Sequence, residues 1–136
     1  MTQILRGIAT ISLWAADHQA AVKWYGELLE TKPYFSQPGY AEFRIGDNET
    51  EVGIIDRNYA PQMSFPKDPS GVVVYWQVDD IQKVLKKLVS MGAEQLEAPK
   101  DRGNGFVTTS VVDPFGNVLA IMHNPHYLEI DRKSVV

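Results

Sequence analysis

The residues of this chain that could do chemistry are few, and their spacing is uneven. Three histidines are present: His18 opens a helical pattern, while His123 and His126 fall past the last strand pattern. That is not the spacing of a metal site, and it suits solvent-facing or capping roles better. Cysteine is absent, which excludes disulfides and thiolate metal sites together. Carboxylates and neutral hydrogen-bonding groups remain. Glu42 and Arg44 stand two apart in one strand-like segment, Glu51 lies in the next, and Tyr75 and Gln77 share a third. Glu51, Glu42 or Tyr75 could act as a general base, but a carboxylate would need burial to raise its pKa, and no second catalytic partner is visible. Glu42 and Arg44 have two open readings. They pair with each other, or they face a ligand, with Arg44 gripping a carboxylate or phosphate in bidentate fashion.

The elements that must position these groups follow a repeated order. Residues 7–14 alternate like a half-buried strand. Asp17 then sits at an N-cap position ahead of Ala21, Val22, Tyr25, Leu28 and Leu29, which share one helix face. Strand patterns follow at 33–36, 40–45 and 51–56, separated by Pro38-Gly39 and Gly46-Asp47-Asn48. Residues 57–70 carry Pro61, Pro66 and Pro69 without apolar period and read as a linker. Its apolar residues Tyr59, Met63 and Phe65 must bury somewhere, as a lid or against a partner. The order then restarts with an apolar run at 72–78. Asp79 and Gln82 resemble a capping box, Ile81, Val84, Leu85 and Leu88 form the buried stripe, and Gly92 ends the helix. Strand patterns at 94–97, 107–112 and 118–122 complete the second half.

Corresponding positions in the two halves are about 62 to 67 residues apart, an internal repeat too short for a solenoid. Halves of about 55 residues would be marginal alone, which favours a shared sheet or a homodimer. The full 136 residues suffice for one domain, burying about two-thirds of the unfolded surface. The hydrophobic share of 44% and charged share of 22% are ordinary globular values. No apolar run approaches the roughly 20 residues that span a bilayer, and the first residues lack a signal peptide's basic and apolar regions. A cytoplasmic protein without membrane contact is the expectation. With 17 acidic against 13 basic residues the net charge is −4, and the only cationic cluster, Lys83, Lys86 and Lys87, falls at helical spacing. Nucleic acid is therefore not the expected partner.

Three motifs carry a resemblance. Asp17 with Trp24-Tyr25, Val78-Asp79-Asp80, and above all Asp113-Pro114-Phe115-Gly116-Asn117 resemble motifs of the vicinal oxygen chelate superfamily. That superfamily includes glyoxalase I, bleomycin resistance proteins and extradiol dioxygenases. The resemblance covers residues 5–126 and departs at Glu30, where the family often has glycine. It implies an α+β fold of two tandem βαβββ modules, about 5–57 and 71–126, within a single domain spanning 1–136. The modules would form a U-shaped mixed sheet around a cleft, with the helices outside. It also implies four metal-ligand positions on the inner strands, which map to Thr10, Gly53, Val73 and Ala120. None of these four offers a competent ligand, so neither a metal nor any other cofactor is expected.

Strand alternation then names the groups lining such a cleft. They are Thr10, Ser12 and Trp14 on the first strand, Glu42 and Arg44 on the third, and Glu51 and Gly53 on the fourth. Val73, Tyr75 and Gln77 follow on the fifth, with Ala120 and Met122 on the last. Trp14 stacks on a ligand or belongs to core or interface packing, whereas Trp24 and Trp76 should face away. The lining suits a largely apolar organic molecule held by a few hydrogen bonds. A metal-free small-molecule binding protein is the leading expectation. A lyase, isomerase or dioxygenase of the same superfamily is the alternative.

Overall fold

A computed structural model describes residue 4 and residues 8–59 and 73–134, with side chains as far as Glu129. The chain divides into two compact units, Met1–Met63 and Ser64–Val136, parted inside the expected linker. Met63 and Phe65, whose burial the sequence left open, lie outside the described residues.

The first unit holds β1 (Thr10–Ala15), α1 (His18–Leu29), β2 (Phe35–Gln37), β3 (Tyr40–Ile45) and β4 (Thr50–Asp56), then one 3₁₀ turn (Arg57–Tyr59). The second holds β5 (Val74–Gln77), α2 (Ile81–Ser90), β6 (Glu94–Gly103), β7 (Phe106–Val112), β8 (Val118–His123) and α3 (Pro125–Ser134). Each unit builds one four-stranded mixed sheet, with orders β1-β4-β3-β2 and β5-β8-β7-β6. In both, the first strand runs parallel to the last while the other neighbours are antiparallel. Identical topology in the two halves is what the internal repeat requires: tandem βαβββ modules of an α+β fold.

The apolar alternation of β3 and β4 selects the face that α1 covers. Ala41, Phe43, Val52 and Ile54 are all buried, and Phe43 reaches toward Gly26 of α1. The opposite face, bearing Tyr40, Glu42, Arg44, Glu51 and Gly53, is left to other chemistry. Asp17 caps α1 as expected, its carboxylate accepting from Ala20 N–H at 3.2 Å. In α2 the cap is Asp80 rather than Asp79, because it is the Asp80 carboxylate that reaches Lys83 N–H, at 3.1 Å. Gly92, at φ 98°, ends α2 in a Schellman motif, with Ala93 N–H on the Leu88 carbonyl and Gly92 N–H on that of Val89.

Several boundaries differ from the pattern-based ones. β2 lies at Phe35–Gln37, later than 33–36, since its register is set by pairing with β3. β6 runs through Pro99 to Gly103, well past residue 97. It is an edge strand with register shifts on both sides of Glu97, where a proline is tolerated. His123 is the last residue of β8, not beyond it. α3 was missed, although Asn124-Pro125 is a start signal: the Asn124 side chain accepts from His126 N–H at 2.9 Å, and proline takes the first helical position.

Glu30 closes α1 at φ 54°, a left-handed conformation that a Cβ disfavours and glycine adopts freely. The glycine common in the resembling family thus has a backbone reason. Glu30→Gly is expected to stabilise the fold by about 1 kcal/mol, read as a higher urea midpoint at unchanged slope. An unchanged or lower midpoint would show that the cap is not strained.

Candidate functional site

The open face of the first sheet carries a continuous cluster of polar side chains. Register brings Thr10 beside Glu51, Arg44 beside Glu51, and both Glu42 and Ser12 beside Gly53. Tyr34, just ahead of β2, reaches across this face and donates its hydroxyl to Glu51 Oε2 at 2.7 Å and to Glu42 Oε2. Tyr40 donates to Glu42 Oε1 at 2.6 Å, and Thr10 to Glu51 Oε1 at 3.1 Å. A hydroxyl holds one proton, so Tyr34 satisfies only one of its two carboxylates at a time. Arg44 spreads over the Tyr34 ring, its Cζ 4.0 Å from the centroid, a cation–π contact. Of the two readings of Glu42 and Arg44, then, the carboxylate is engaged by the two tyrosines and the guanidinium by an aromatic face.

This wiring sets the electrostatics. Tyr34 is pushed up to about 12, first by its hydrogen bonds to Glu42 and Glu51. Tyr40 is likewise raised to about 12, through desolvation first and the Glu42 hydrogen bond second. Glu51 is held below the ordinary carboxylate value, chiefly by the Tyr34 hydrogen bond and next by that from Thr10. Hydrogen bonding favours carboxylate over phenolate throughout.

Gly53 completes the arrangement. A Cβ there would lie 2.8 Å from both Cε1 and Oη of Tyr40, so the tyrosine stands where a side chain of residue 53 would be. Glycine is required at this position by close approach, not by backbone conformation.

In the second unit the expected residues gather on the corresponding face. Tyr75 pairs with Ala120 and Gln77 with Met122. Tyr75 and Val73 are exposed, while Ala120 is fully buried. Gln77 is occupied structurally, its amide nitrogen on the Val78 carbonyl at 3.1 Å and its oxygen accepting from Asn124 N–H at 2.8 Å. Met122 Sδ accepts from the Asn124 side chain at 3.7 Å. Trp14 is half-buried on β1 opposite Ile55, and Ser12 is exposed. His18 donates Nε2–H to the Ile54 carbonyl at 2.9 Å, which ties the start of α1 to the interior strand β4. It also borders a shallow hollow of about 440 Å³ with Gln19, Val22 and Ser36–Gly39, away from the carboxylates. Tyr59 lays its ring against Gly39.

Residue-by-residue reading missed Tyr34 and Tyr40 as site members. Tyr40 had a signal, since 40, 42 and 44 share a strand face. Tyr34 had none, because its side chain enters from outside the strand.

A model of the glyoxalase/bleomycin resistance protein/dioxygenase superfamily matches residues 7–121. The chain belongs to this superfamily. Solved structures agree in fold. A glyoxalase-related enzyme from Fulvimarina pelagi is 21% identical with a TM-score of 0.68, covering 89% of this chain and 90% of that one. A lactoylglutathione lyase from Agrobacterium tumefaciens is 17% identical at 0.65, covering 90% and 96%. A fosfomycin resistance protein from Mesorhizobium loti is 12% identical at 0.67, covering 93% and 99%. No curated protein matches the chain significantly.

The superfamily's metal can be tested against the residues present. At the four ligand positions stand one neutral hydroxyl already bonded to Glu51, one glycine whose side-chain space holds Tyr40, and the hydrocarbons of Val73 and Ala120. Such donors do not fit a divalent ion, which needs three or four imidazole, carboxylate or thiolate ligands. Among the described residues no group of three or more His, Asp or Glu is placed to replace them.

Two predictions follow from the cluster. Gly53→Ala should destabilise the protein by about 1–3 kcal/mol, as overpacking does, because the new methyl displaces Tyr40 from Glu42. An unchanged urea midpoint would refute that packing. The second concerns pH. Both tyrosines have folded values above the ordinary 10.0. Their contribution to stability is therefore complete below about pH 10 and is lost as pH rises toward 12. Absorbance at 295 nm should show two late-ionising tyrosines, and Glu42→Gln should bring both back toward 10.

Proposed function

We propose that the protein is a metal-free binder of small organic molecules, holding a drug-like or aromatic metabolite on the open face of the first sheet, as a homodimer in the cytoplasm. The observation that carries this reading is a shortage of protons in the cluster. The four carboxylate oxygens of Glu42 and Glu51 are met by three hydroxyls, those of Thr10, Tyr34 and Tyr40, and Tyr34 is shared. A ligand bringing an N–H or O–H donor supplies what the protein lacks, and charged hydrogen bonds of this kind are the stronger ones. Tyr34 and Phe35, both nearly half exposed, offer apolar area beside those oxygens. Among fold neighbours, one is described as a fosfomycin resistance protein, which agrees with a drug-directed role but carries only the fold.

A second reading, a lyase, isomerase or dioxygenase with Glu42 or Glu51 as general base, has one favourable observation, the hydrogen-bonded Glu42–Tyr34–Glu51 array. Its weakness is chemical. Glu51 is held below the ordinary range, which makes it a poorer base near neutrality.

The test is metal analysis of the protein as purified, joined to a thermal-shift screen of aromatic amines, phenols and antibiotics. Metal content should be substoichiometric. A specific ligand should raise the melting temperature with concentration, and Glu42→Gln should reduce that shift. A stoichiometric divalent ion together with turnover of a glutathione or catechol substrate would overturn the proposal.

A further inference from the structure

On the side of the first sheet that α1 covers lies the hollow of about 440 Å³. Its walls are His18, Gln19 and Val22 from the start of α1 and Ser36–Gly39 from the β2–β3 hairpin. Ser36 pairs with Ala41, whose side chain is buried on the α1 side, so the Ser36 hydroxyl turns to that side too. Tyr40, Glu42 and Arg44 alternate to the other side. The hollow is thus separate from the tyrosine–carboxylate cluster.

One tautomer defines the chemistry of these walls. A carbonyl only accepts, so the nitrogen facing Ile54 O at 2.9 Å, His18 Nε2, must carry the ring's proton. In the neutral ring Nδ1 is then a lone-pair acceptor, held in that state by the fold. Among the described residues Nδ1 has no hydrogen-bond partner, and it is not one of the buried unpaired atoms, so it is open to a ligand. The Gln19 amide and Ser36 hydroxyl, likewise without side-chain partners among the described residues, can donate. Val22 and Pro38 add apolar wall, and no Asp, Glu, Lys or Arg stands among the lining residues. The adjacent Asp17 carboxylate is engaged in capping α1. The volume falls within the range of small-molecule sites.

We propose that this hollow binds a neutral ligand with an N–H beside a carbonyl, a lactam or carboxamide. The ligand N–H bonds to His18 Nδ1, and its carbonyl accepts from the Ser36 hydroxyl and the Gln19 amide. A charged ligand is disfavoured, because no lining charge replaces the hydration it would lose. The site goes beyond the binding proposed for the open face, since it lies on the opposite side of the sheet and takes different chemistry.

The probes are 2-pyridone and benzamide, with 1-methyl-2-pyridone as the analogue lacking the N–H. Each is titrated into the ¹⁵N-labelled full chain and followed by NMR. 2-Pyridone and benzamide should give saturable shifts centred on His18, Val22 and Gly39, with the imidazole Nδ1 signal moving alongside. 1-Methyl-2-pyridone should bind about tenfold more weakly, the scale of one lost hydrogen bond. In His18→Leu the two pyridones should bind equally. That variant also loses the bond to Ile54, so a second one leaves it intact: Gln19→Ala with Ser36→Ala should weaken 2-pyridone about tenfold. Equal affinity of the two pyridones for the unaltered protein, unchanged 2-pyridone affinity in the double variant, or shifts centred on Glu42 and Gly53 would overturn the proposal. So would the lack of any saturable shift up to about 10 mM. Aromatic amines or phenols held at the open face should bind the double variant unchanged, so failure of one site is distinguishable from failure of the other.

Discussion

The Tyr40 ring fills the space that a side chain at residue 53 would need, and the first sheet's open face is organised around that contact. With glycine at 53, the ring can lie flat across β4 and bring its hydroxyl to Glu42. Glu42 is then held where Tyr34 can bridge it to Glu51, and Tyr34 in turn gives Arg44 an aromatic face to rest on. A methyl group at residue 53 would disturb the first link and, through it, the rest. The same contact closes one of the superfamily's metal-ligand positions by steric exclusion, independent of any ligand chemistry.

Duplication explains how one backbone plan carries two different surfaces. Each half repeats the strand order and the parallel closing pair, because the helix must cross from the first strand before the hairpins return. The helix-facing positions stay mostly apolar in both, with Phe43, Val52 and Ile54 answered by Val111, Leu119 and Ile121, and Ala41 by the buried Thr109. The opposite faces have diverged. Tyrosines and carboxylates occupy one; hydroxyls with cations at the edge occupy the other.

Most of the fold was legible because helix and strand periods, caps and the Asp113–Asn117 hairpin are local signals. Asp113 shows why the last is so specific. Its buried carboxylate accepts from Phe115 N–H, Asn117 N–H and the Asn117 side chain, so few other sequences would make that turn. Boundaries set by pairing were less legible: β2 and β6 take their limits from neighbouring strands, and bulges carry β6 through Pro99. Of the site, alternation located Glu42, Arg44 and Gly53 on one face. It did not find Tyr34, whose contacts lie 8 and 17 residues away.

The central claim is that the four inherited ligand positions are closed to metal, and paramagnetic broadening tests it at those positions. In ¹⁵N-labelled protein titrated with Mn²⁺, the amide signals of Thr10, Gly53, Val73 and Ala120 should keep their linewidths relative to the remainder of the spectrum. Selective, saturable broadening centred on Gly53 and Ala120 would contradict it and would put a metal-dependent enzyme in place of the binder.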